Sequence, residues 1–223
     1  MNLVTTKDFE HFQSLILENI LRSFQEGKDR KSFFNIALTG GETVKPIYIE
    51  LAKRELSWKS WNFFFGDERC AEKESNLLNE TQARELLLNE INISEDQIFS
   101  PKSYLGVFES ARYYNEIMNS NWEMDLVLLG LGEDGHIASL FPGFDVGENA
   151  NSPDVIAVLD APKAPPNRIS FSLNKLQKSR QILIVAKGKV KGRLLMEYEL
   201  HPDLPVSRVL KLNQTRCIFL DCD

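Results

Sequence analysis

Residues 125–143, with the sequence DLVLLGLGEDGHIASLFPG, restrict the architecture that this chain can adopt. The segment begins with a short, unbroken apolar run, residues 126–129, and continues into a loop rich in glycine. Such a run is typical of a strand that is buried on both faces of a parallel sheet. In open α/β sheets, ligands bind beyond the carboxyl ends of the strands. We therefore expect an α/β protein with a ligand site in the loop after this strand.

The loop after this strand predicts a tight backbone path that holds two polar side chains. Its glycines permit positive φ and leave backbone N–H groups uncovered; they are Gly130, Gly132 and Gly135. Asp134 and His136 are then held beyond the end of the strand. Pro142 and the glycine that follows it stop a long helix, so residues 137–141 can form at most one or two helical turns.

The remainder of the chain alternates between helical and extended patterns. Residues 7–25 repeat apolar side chains at steps of three and four, which predicts an amphipathic helix. Further helices are predicted at residues 43–56, 76–91, 110–119 and 190–200, and further strands at residues 33–38, 61–65, 155–159, 169–173, 181–186 and 216–220. This alternation predicts a three-layer α/β/α sandwich with a mainly parallel, Rossmann-like sheet. Because we find no linker and no internal repeat, we expect a single domain over residues 1–223.

The overall charge and the cysteines limit the partners and the compartment. The formal net charge of -6 and the sequence pI of about 5.3 argue against general binding to nucleic acid or to an anionic membrane. A small phosphorylated ligand remains compatible, because it responds to a few local cations and helix N-termini. The start of the chain lacks the apolar core of a signal peptide, and no apolar run approaches the roughly 18 to 20 residues that span a bilayer. The 3 cysteines lack C-x-x-C spacing, which favours reduced thiols and a cytoplasmic location.

A second glycine loop, TGGET at residues 39–43, lies between a predicted strand and a predicted helix. Backbone N–H groups and the helix dipole form a phosphate site at such a position, which would involve Gly40, Gly41 and Thr43. Thr39 and Glu42 also have the T-x-x-E spacing of a capping box, so the loop can equally be a helix cap. The residues alone leave both interpretations open.

His136 is the histidine best placed for chemistry, because the other two lie in the first helix and before a proline. An imidazole with a pKa near 6.5 suits general base catalysis at neutral pH. Asp134 can accept a hydrogen bond from the other ring nitrogen and fix the tautomer, or it can cap the turn at Gly135. A surface histidine in an ordinary turn is the alternative interpretation.

Three cations lie in loops that can face an anion. Arg69, in Gly-Asp-Glu-Arg-Cys, follows a predicted strand and can grip a phosphate with two parallel hydrogen bonds. Lys163 and Arg168 lie in PKAPPNRI, where prolines stiffen the loop and reduce the entropy lost on binding. Surface charges are the alternative in each case, and the spacing around Lys191 favours an exposed position on a helix.

Taken together, these segments resemble the 6-phosphogluconolactonases. GLGEDGHIASLFPG is similar to the family's signature, whereas the related glucosamine-6-phosphate deaminases have an F-N-E-P-like tail after the histidine. TGGETV resembles the family's S-G-G-S-T-P segment but departs from it at residues 39, 42 and 44. GDERC resembles its D-E-R-C segment with a shortened loop, PKAPPNR resembles P-K-P-P-x-R with one proline replaced, and GKVK resembles G-x-x-K.

The resemblance implies an enzyme that hydrolyses 6-phospho-D-glucono-1,5-lactone to 6-phospho-D-gluconate in the oxidative pentose phosphate pathway. It implies that His136 is the general base and that Asp134 orients it. The implied substrate-binding residues are Gly40, Gly41, Thr43, Arg69, Lys163 and Arg168, with the cations on the phosphate. No metal or organic cofactor is implied, and we expect a monomer or a small homo-oligomer.

Two other functions are compatible with parts of the pattern. A sugar-phosphate deaminase or isomerase can use the same scaffold, but the residues after His136 and the D-E-R segment disfavour it. A non-catalytic sugar-phosphate sensor is the second alternative. Related sensor domains are usually fused to a DNA-binding helix-turn-helix, and we find no such segment or basic stretch before Phe33.

Overall fold

The computed structural model describes residues 2–118 and 122–222. In chain order the strands are β1 (Asn2–Thr6), β2 (Phe34–Leu38), β3 (Trp61–Phe65), β4 (Asp67–Arg69), β5 (Ile98–Phe99), β6 (Leu126–Gly130), β7 (Val155–Val158), β8 (Arg168–Phe171), β9 (Ile182–Lys187) and β10 (Thr215–Leu220). The α-helices are α1 (Phe9–Lys28), α2 (Lys45–Ala52), α3 (Asn79–Ala83), α4 (Val107–Met118), α5 (Leu173–Gln177), α6 (Lys189–Met196) and α7 (Pro205–Leu210).

Seven strands form one sheet in the order β1-β10-β9-β6-β2-β3-β5, and all neighbouring pairs are parallel. Successive side chains of a strand point to opposite faces of a sheet. In β6, Leu126 and Leu128 pack into the core under α1 and α2, whereas Val127 and Leu129 pack into the core on the other face. Helices thus cover both faces, and the predicted α/β/α fold with a mainly parallel sheet is confirmed.

The long helix α1 shows why the predicted elements form. The side chain of Asp8 accepts a hydrogen bond from the backbone N–H of His11 at 2.6 Å and caps the first turn. Its apolar stripe, which includes Phe12, Ile16 and Ile20, is fully buried against the sheet. The helix continues to Lys28, three residues beyond the predicted end, because Gly27 packs inside against the core.

Other helices differ from the prediction mainly at their ends. The helix predicted at residues 43–56 spans only Lys45–Ala52, and α3 starts at Asn79 and continues as a π-helical turn over Arg84–Leu88. The helix predicted at residues 110–119 is Val107–Met118, and its predicted last residue, 119, lies outside the described residues. No described helix is both long and apolar enough to cross a membrane.

Several short elements were not predicted. Asp67–Arg69, expected to lie in a loop after β3, is a strand that pairs antiparallel with β8, and β8 pairs antiparallel with β7 in a second, three-stranded sheet. The edge strands β1 and β5 and the short helices α5 and α7 were also missed. A few residues of mixed polarity carry too little periodic pattern to reveal such elements, and tertiary contacts determine them.

The chain order of the strands determines where a site can form. From β2 the chain proceeds to β3 and β5 on one side, and later to β6, β9 and β10 on the other side. The crevice between β2 and β6 is therefore the topological switch point of the sheet, the position at which open α/β proteins bind ligands. The two glycine loops follow these two strands, so the topology brings them together.

Candidate active site

A cavity of about 480 Å³ opens at the switch point, within the size range typical of sites for small molecules. All but one of the predicted site residues line it: Gly40, Gly41, Thr43, Arg69, His136, Lys163 and Arg168. The remaining one, Asp134, contacts the cavity through His136. The fold therefore brings together residues that are far apart in sequence, on the loops after β2 and β6, at the end of β4, on the proline-rich loop and at the start of β8.

His136 and Asp134 form a hydrogen-bonded dyad. The Nδ1 atom of His136 contacts Oδ1 of Asp134, and the same oxygen accepts the backbone N–H of His136 at 3.3 Å. Asp134 thus fills both roles that the sequence left open, since it orients the ring and caps the turn. The ring packs on Phe141, with centroids 4.6 Å apart. A proton on Nδ1 is held by the carboxylate, which leaves Nε2 able to accept a proton.

The environment of the dyad favours a neutral imidazole and an ionised carboxylate. Burial lowers the pKa of His136 below 6.5, with a further lowering by the Lys163 ammonium, while the carboxylates of Asp134 and Asp67 partly offset it. Burial disfavours the charged form of Asp134, but the hydrogen bonds and charge of His136, together with Lys163, outweigh this and lower the pKa of Asp134. At pH 7 His136 is therefore in the form that accepts a proton.

Glycine is required at two positions of this loop for different reasons. A Cβ atom on Gly132 would lie 2.1 Å from Nδ1 and Cε1 of His136 and 2.6 Å from Oδ1 of Asp134, so only glycine leaves room for the dyad. Gly135 has a φ of +84°, which disfavours other residues. The expectation of positive φ at Gly130 and Gly132 is wrong, because in this loop the backbone adopts positive φ at Gly135 and Ala138 instead.

Asp67 connects the histidine loop to β4. Its Oδ2 accepts a hydrogen bond from Oγ of Ser139 at 2.7 Å, and its Oδ1 accepts one from Nδ2 of Asn79 at 3.1 Å. All three residues are buried. The candidate residues chosen from the sequence did not include these three, although Asp67 and Ser139 lie within the quoted motifs. Asn79 gave no signal, because a polar residue at a helix start is ordinary.

Glu68 fixes the backbone that carries Arg69. Its carboxyl group is 1% exposed and accepts backbone N–H groups of Arg69, Asn79 and Glu80 at 2.7 to 2.8 Å. Burial raises the pKa of Glu68 to about 8, although these N–H groups oppose the rise. Glu68 thereby joins β4 to the start of α3.

The guanidinium of Arg69 has a donor that no described residue uses. Its Nη1 donates to the carbonyl oxygen of Leu77 at 2.5 Å. Its Nε is buried and has no hydrogen-bond partner in the described part of the chain. Because Arg69 lines the cavity, such a donor favours an anionic ligand there.

Helix α3 is hydrogen-bonded to the TGGET loop through Gln82. Gln82 accepts the N–H of Gly41 at 3.0 Å and donates to the carbonyl of Gly41 at 3.1 Å. The N–H of Gly41 is thus already engaged, so it is less available to a phosphate than the sequence suggests. A Cβ on Gly40 would lie 1.9 Å from Oδ1 of Asn79, which explains why this position is glycine.

The capping box that TGGET allowed does not form. The N-cap of α2 is Val44, which has no side-chain cap hydrogen bond. Glu42 instead pairs with Lys45, with 2.6 Å between Oε1 and Nζ. Its side chain is 76% exposed and lies at the rim of the cavity, where Lys45 offsets its negative charge.

Arg168 holds the proline-rich loop as well as lining the cavity. Its Nε donates to the carbonyl of Pro165 at 3.0 Å, and its Nη2 donates to those of Lys163 and Ala164 at 3.0 and 3.1 Å. The residue is 5% exposed, and its guanidinium lies 5.6 Å from the ring centre of Phe141. Only Nη1 is left for a ligand, so the two-pronged grip of a free arginine is reduced.

Two further lysines line the cavity. Lys187 ends β9, and Lys191 lies in the first turn of α6. Burial lowers the pKa of Lys191, partly offset by Glu133 and reinforced by Lys163 and Lys187. The expectation of an exposed Lys191 is therefore wrong, and the G-x-x-K spacing was the better signal. Lys187 had no sequence signal, because it becomes a cavity residue only through the adjacency of β9 and β6.

The chain is similar to known proteins over most of its length. Residues 7–218 match the family described as glucosamine-6-phosphate isomerases/6-phosphogluconolactonase. A 6-phosphogluconolactonase of Mycobacterium leprae is 34% identical over 171 residues, which cover 70% of this chain and 69% of that protein. A probable chloroplastic 6-phosphogluconolactonase 3 of Oryza sativa is 30% identical over 82% of this chain and 61% of that protein.

A solved structure supports the fold. The 6-phosphogluconolactonase of Thermotoga maritima superposes with a TM-score of 0.88 and 24% sequence identity, over 99% of both chains. The match to residues 7–218 extends over nearly the whole chain, from the start of α1 into β10. The chain therefore belongs to the glucosamine-6-phosphate isomerase/6-phosphogluconolactonase family.

Proposed function

We propose that this protein is a 6-phosphogluconolactonase, a carboxylic ester hydrolase that opens 6-phospho-D-glucono-1,5-lactone in the pentose phosphate pathway. The observation that carries the proposal is the His136–Asp134 dyad on a cavity lined by cations. Hydrolysis of a lactone needs an activated water, stabilisation of a tetrahedral oxyanion and a means of positioning the ester carbon. The cavity offers a group for each of these needs.

The reaction begins at Nε2 of His136, which takes a proton from water as the water oxygen attacks C1 of the lactone. The carbonyl oxygen then carries a negative charge. Because the N–H groups of Gly132, Gly135 and His136 are already hydrogen-bonded within the loop, its stabilisation falls to the remaining backbone N–H groups of the glycine loop. The C1–O5 bond breaks, and O5 receives the proton from the imidazolium. One water is consumed, and the new carboxylic acid releases one proton to solution. Asp134 holds Nδ1 throughout and stabilises the imidazolium.

The substrate phosphate supplies binding energy that places C1 beside the base. Arg69, with its unpaired Nε, and Lys191, half-buried in the cavity, support an anion-binding role. Gly40 and Thr43 line the cavity at the start of α2, where backbone N–H groups and the helix dipole favour a phosphate. Arg168 donates hydrogen bonds to the phosphate from its Nη1, because its Nε and Nη2 are engaged by the carbonyl groups of its own loop.

The relatives described above carry the name 6-phosphogluconolactonase, and this disfavours the deaminase or isomerase alternative. Serine and leucine after Ala138, in place of an F-N-E-P-like tail, point the same way. The cytoplasmic location, the single domain and the monomeric or small oligomeric state expected from the sequence stay predictions.

The proposal is tested by lactone hydrolysis in a pH-stat, after subtraction of the spontaneous rate, for the wild type, His136→Asn and the control His11→Asn. We expect His136→Asn to lower kcat by about 10² to 10⁴, the usual contribution of a general base. His11 lies exposed on α1, so its replacement should leave the rate unchanged. A wild type that does not exceed the spontaneous rate, or an unimpaired His136→Asn variant, would refute the proposal.

A further inference from the structure

Lys163 lies against the dyad. Its Nζ is 3.9 Å from Oδ1 of Asp134, the same oxygen that contacts Nδ1 of His136. One carboxylate oxygen therefore faces the imidazole and the ammonium together. We propose that Lys163 positions and electrostatically tunes the Asp134–His136 dyad, instead of binding the substrate phosphate as the resemblance implies. This inference rests on the proposed function and adds a third group to its catalytic machinery.

The anchoring of the loop around Lys163 supports this role. Arg168 holds the carbonyl oxygens of Lys163 and the two following residues with three hydrogen bonds. The guanidinium lies over one ring, that of Phe141, on which the imidazole of His136 also packs. Arg168, Phe141 and His136 thus form one packed unit, and the backbone of Lys163 is attached to it. A surface lysine that only attracts a distant phosphate does not need a backbone held in place by these hydrogen bonds.

The ammonium group of Lys163 opposes the negative charges around His136. Two carboxylates act on this imidazole, Asp134 and Asp67, and both favour its protonated form. Lys163 is the cation that opposes them among the described groups that act on the ring. It also helps to keep Asp134 ionised. An ammonium in this position keeps the base neutral while it retains its carboxylate partner, and both conditions are needed for proton abstraction.

The test compares Lys163→Met with Lys191→Met, a second lysine of the same cavity. We expect Lys163→Met to lower kcat about tenfold with little change in KM, because the dyad is displaced while the phosphate contacts remain. The acid limb of the pH profile should move up by roughly half a unit to one unit, since a partly exposed cation is lost near the base. Lys191→Met should raise KM and leave the acid limb in place.

A second substrate separates the two roles of Lys163. D-Glucono-1,5-lactone lacks the phosphate, so loss of a phosphate ligand cannot affect its hydrolysis. We expect Lys163→Met to reduce kcat/KM by the same factor for both lactones, and Lys163→Arg, which retains the charge, to restore the wild-type pH profile. A loss confined to the phosphorylated lactone, with an unmoved acid limb, would overturn the inference.

A titration that does not depend on turnover keeps this inference separate from the proposed function. NMR of the histidine side chains gives the pKa of His136, with the resonance assigned by its absence in His136→Asn. We expect this pKa to rise in Lys163→Met, whether or not the protein hydrolyses the phosphorylated lactone. An unchanged pKa in a variant with wild-type thermal stability would contradict the role of Lys163, and an inactive wild type would contradict only the hydrolase assignment.

Discussion

Replacement of Gly132 by alanine should disable the dyad while the fold stays intact. The new Cβ would lie 2.1 Å from Nδ1 and Cε1 of His136, whereas non-bonded carbon atoms in contact are about 3.5 to 4 Å apart. The ring must therefore move by roughly 1 Å or more. The same methyl group would lie 2.6 Å from Oδ1 of Asp134, so the carboxylate is displaced too.

The structure indicates that this displacement affects catalysis more than stability. The atoms that meet the methyl group are the ends of side chains, and the His136 side chain is 16% exposed, so the ring can move without unpacking the core. We expect a destabilisation of about 1 to 2 kcal/mol, at the low end of overpacking. A misplacement of about 1 Å can cost about 10² in rate, so kcat should fall by about 10² to 10³. KM should change little, because the atoms nearest the new methyl group belong to the dyad and not to the residues proposed to bind the phosphate.

The assay is lactone hydrolysis in a pH-stat together with thermal unfolding. Gly130→Ala is the matched control, because Gly130 ends β6 two residues before Gly132, has no positive φ, and its Cβ would meet only the carbonyl oxygen of Gly40 at 4.0 Å. We expect this variant to keep wild-type activity. The double variant Gly132→Ala/His136→Ala should be no slower than His136→Ala alone, since both changes remove the same function.

Two results would refute the reasoning. If Gly132→Ala retains kcat within about threefold of the wild type, the dyad tolerates the displacement and the base is not held as the geometry implies. If Gly132→Ala lowers the rate further in the absence of the His136 imidazole, the alanine acts through some other part of the site. A large fall in melting temperature would instead show that the loop is part of the structural core.

Two further predictions follow from the same site. Burial lowers the pKa of His136, and the proposed catalysis needs the neutral ring. We therefore expect kcat/KM to rise with pH to a plateau, with the midpoint of its acid limb below pH 6.5. A midpoint at or above pH 7 in background-corrected initial rates would contradict this. Gly40→Ala forces its Cβ against Asn79, which is buried and doubly hydrogen-bonded to Asp67, so we expect a loss of about 2 to 4 kcal/mol and a melting temperature lower by about 4 to 16 °C. Gly66→Ala, whose nearest neighbour would be at 3.7 Å, should melt within about 2 °C of the wild type, and equal melting of the two variants would disprove the clash.

The glycine loop after β6 was predicted well from the sequence. Its apolar run, its glycines and the DGH string are local features, and they suffice to predict a buried strand that delivers Asp134 and His136 to the edge of the sheet. The α/β/α class was also predictable, because the alternation of strands and helices extends along the whole chain. The conformation within the loop was less predictable, since Gly132 is required for space and not for positive φ.

The contacts that hold the site residues in place could not be predicted from local sequence patterns. Asn79 stands at the start of an ordinary helix, yet it contacts Gly40 and Asp67 because α3 packs under β4 and the first glycine loop. Lys187 has no motif, and it lines the cavity because β9 pairs with β6. Such contacts join residues that are distant along the chain, so no periodicity or short motif encodes them.

The amino-acid sequence by itself predicted the fold class, the glycine loops and the candidate base, His136, because each depends on neighbours within a few residues. The tertiary structure decided how the cations are used: Arg168 is largely occupied by the carbonyls of its own loop, and Lys163 lies beside Asp134. A charge can act over a distance from any position in the chain, so its role follows from which groups the folded backbone places next to it.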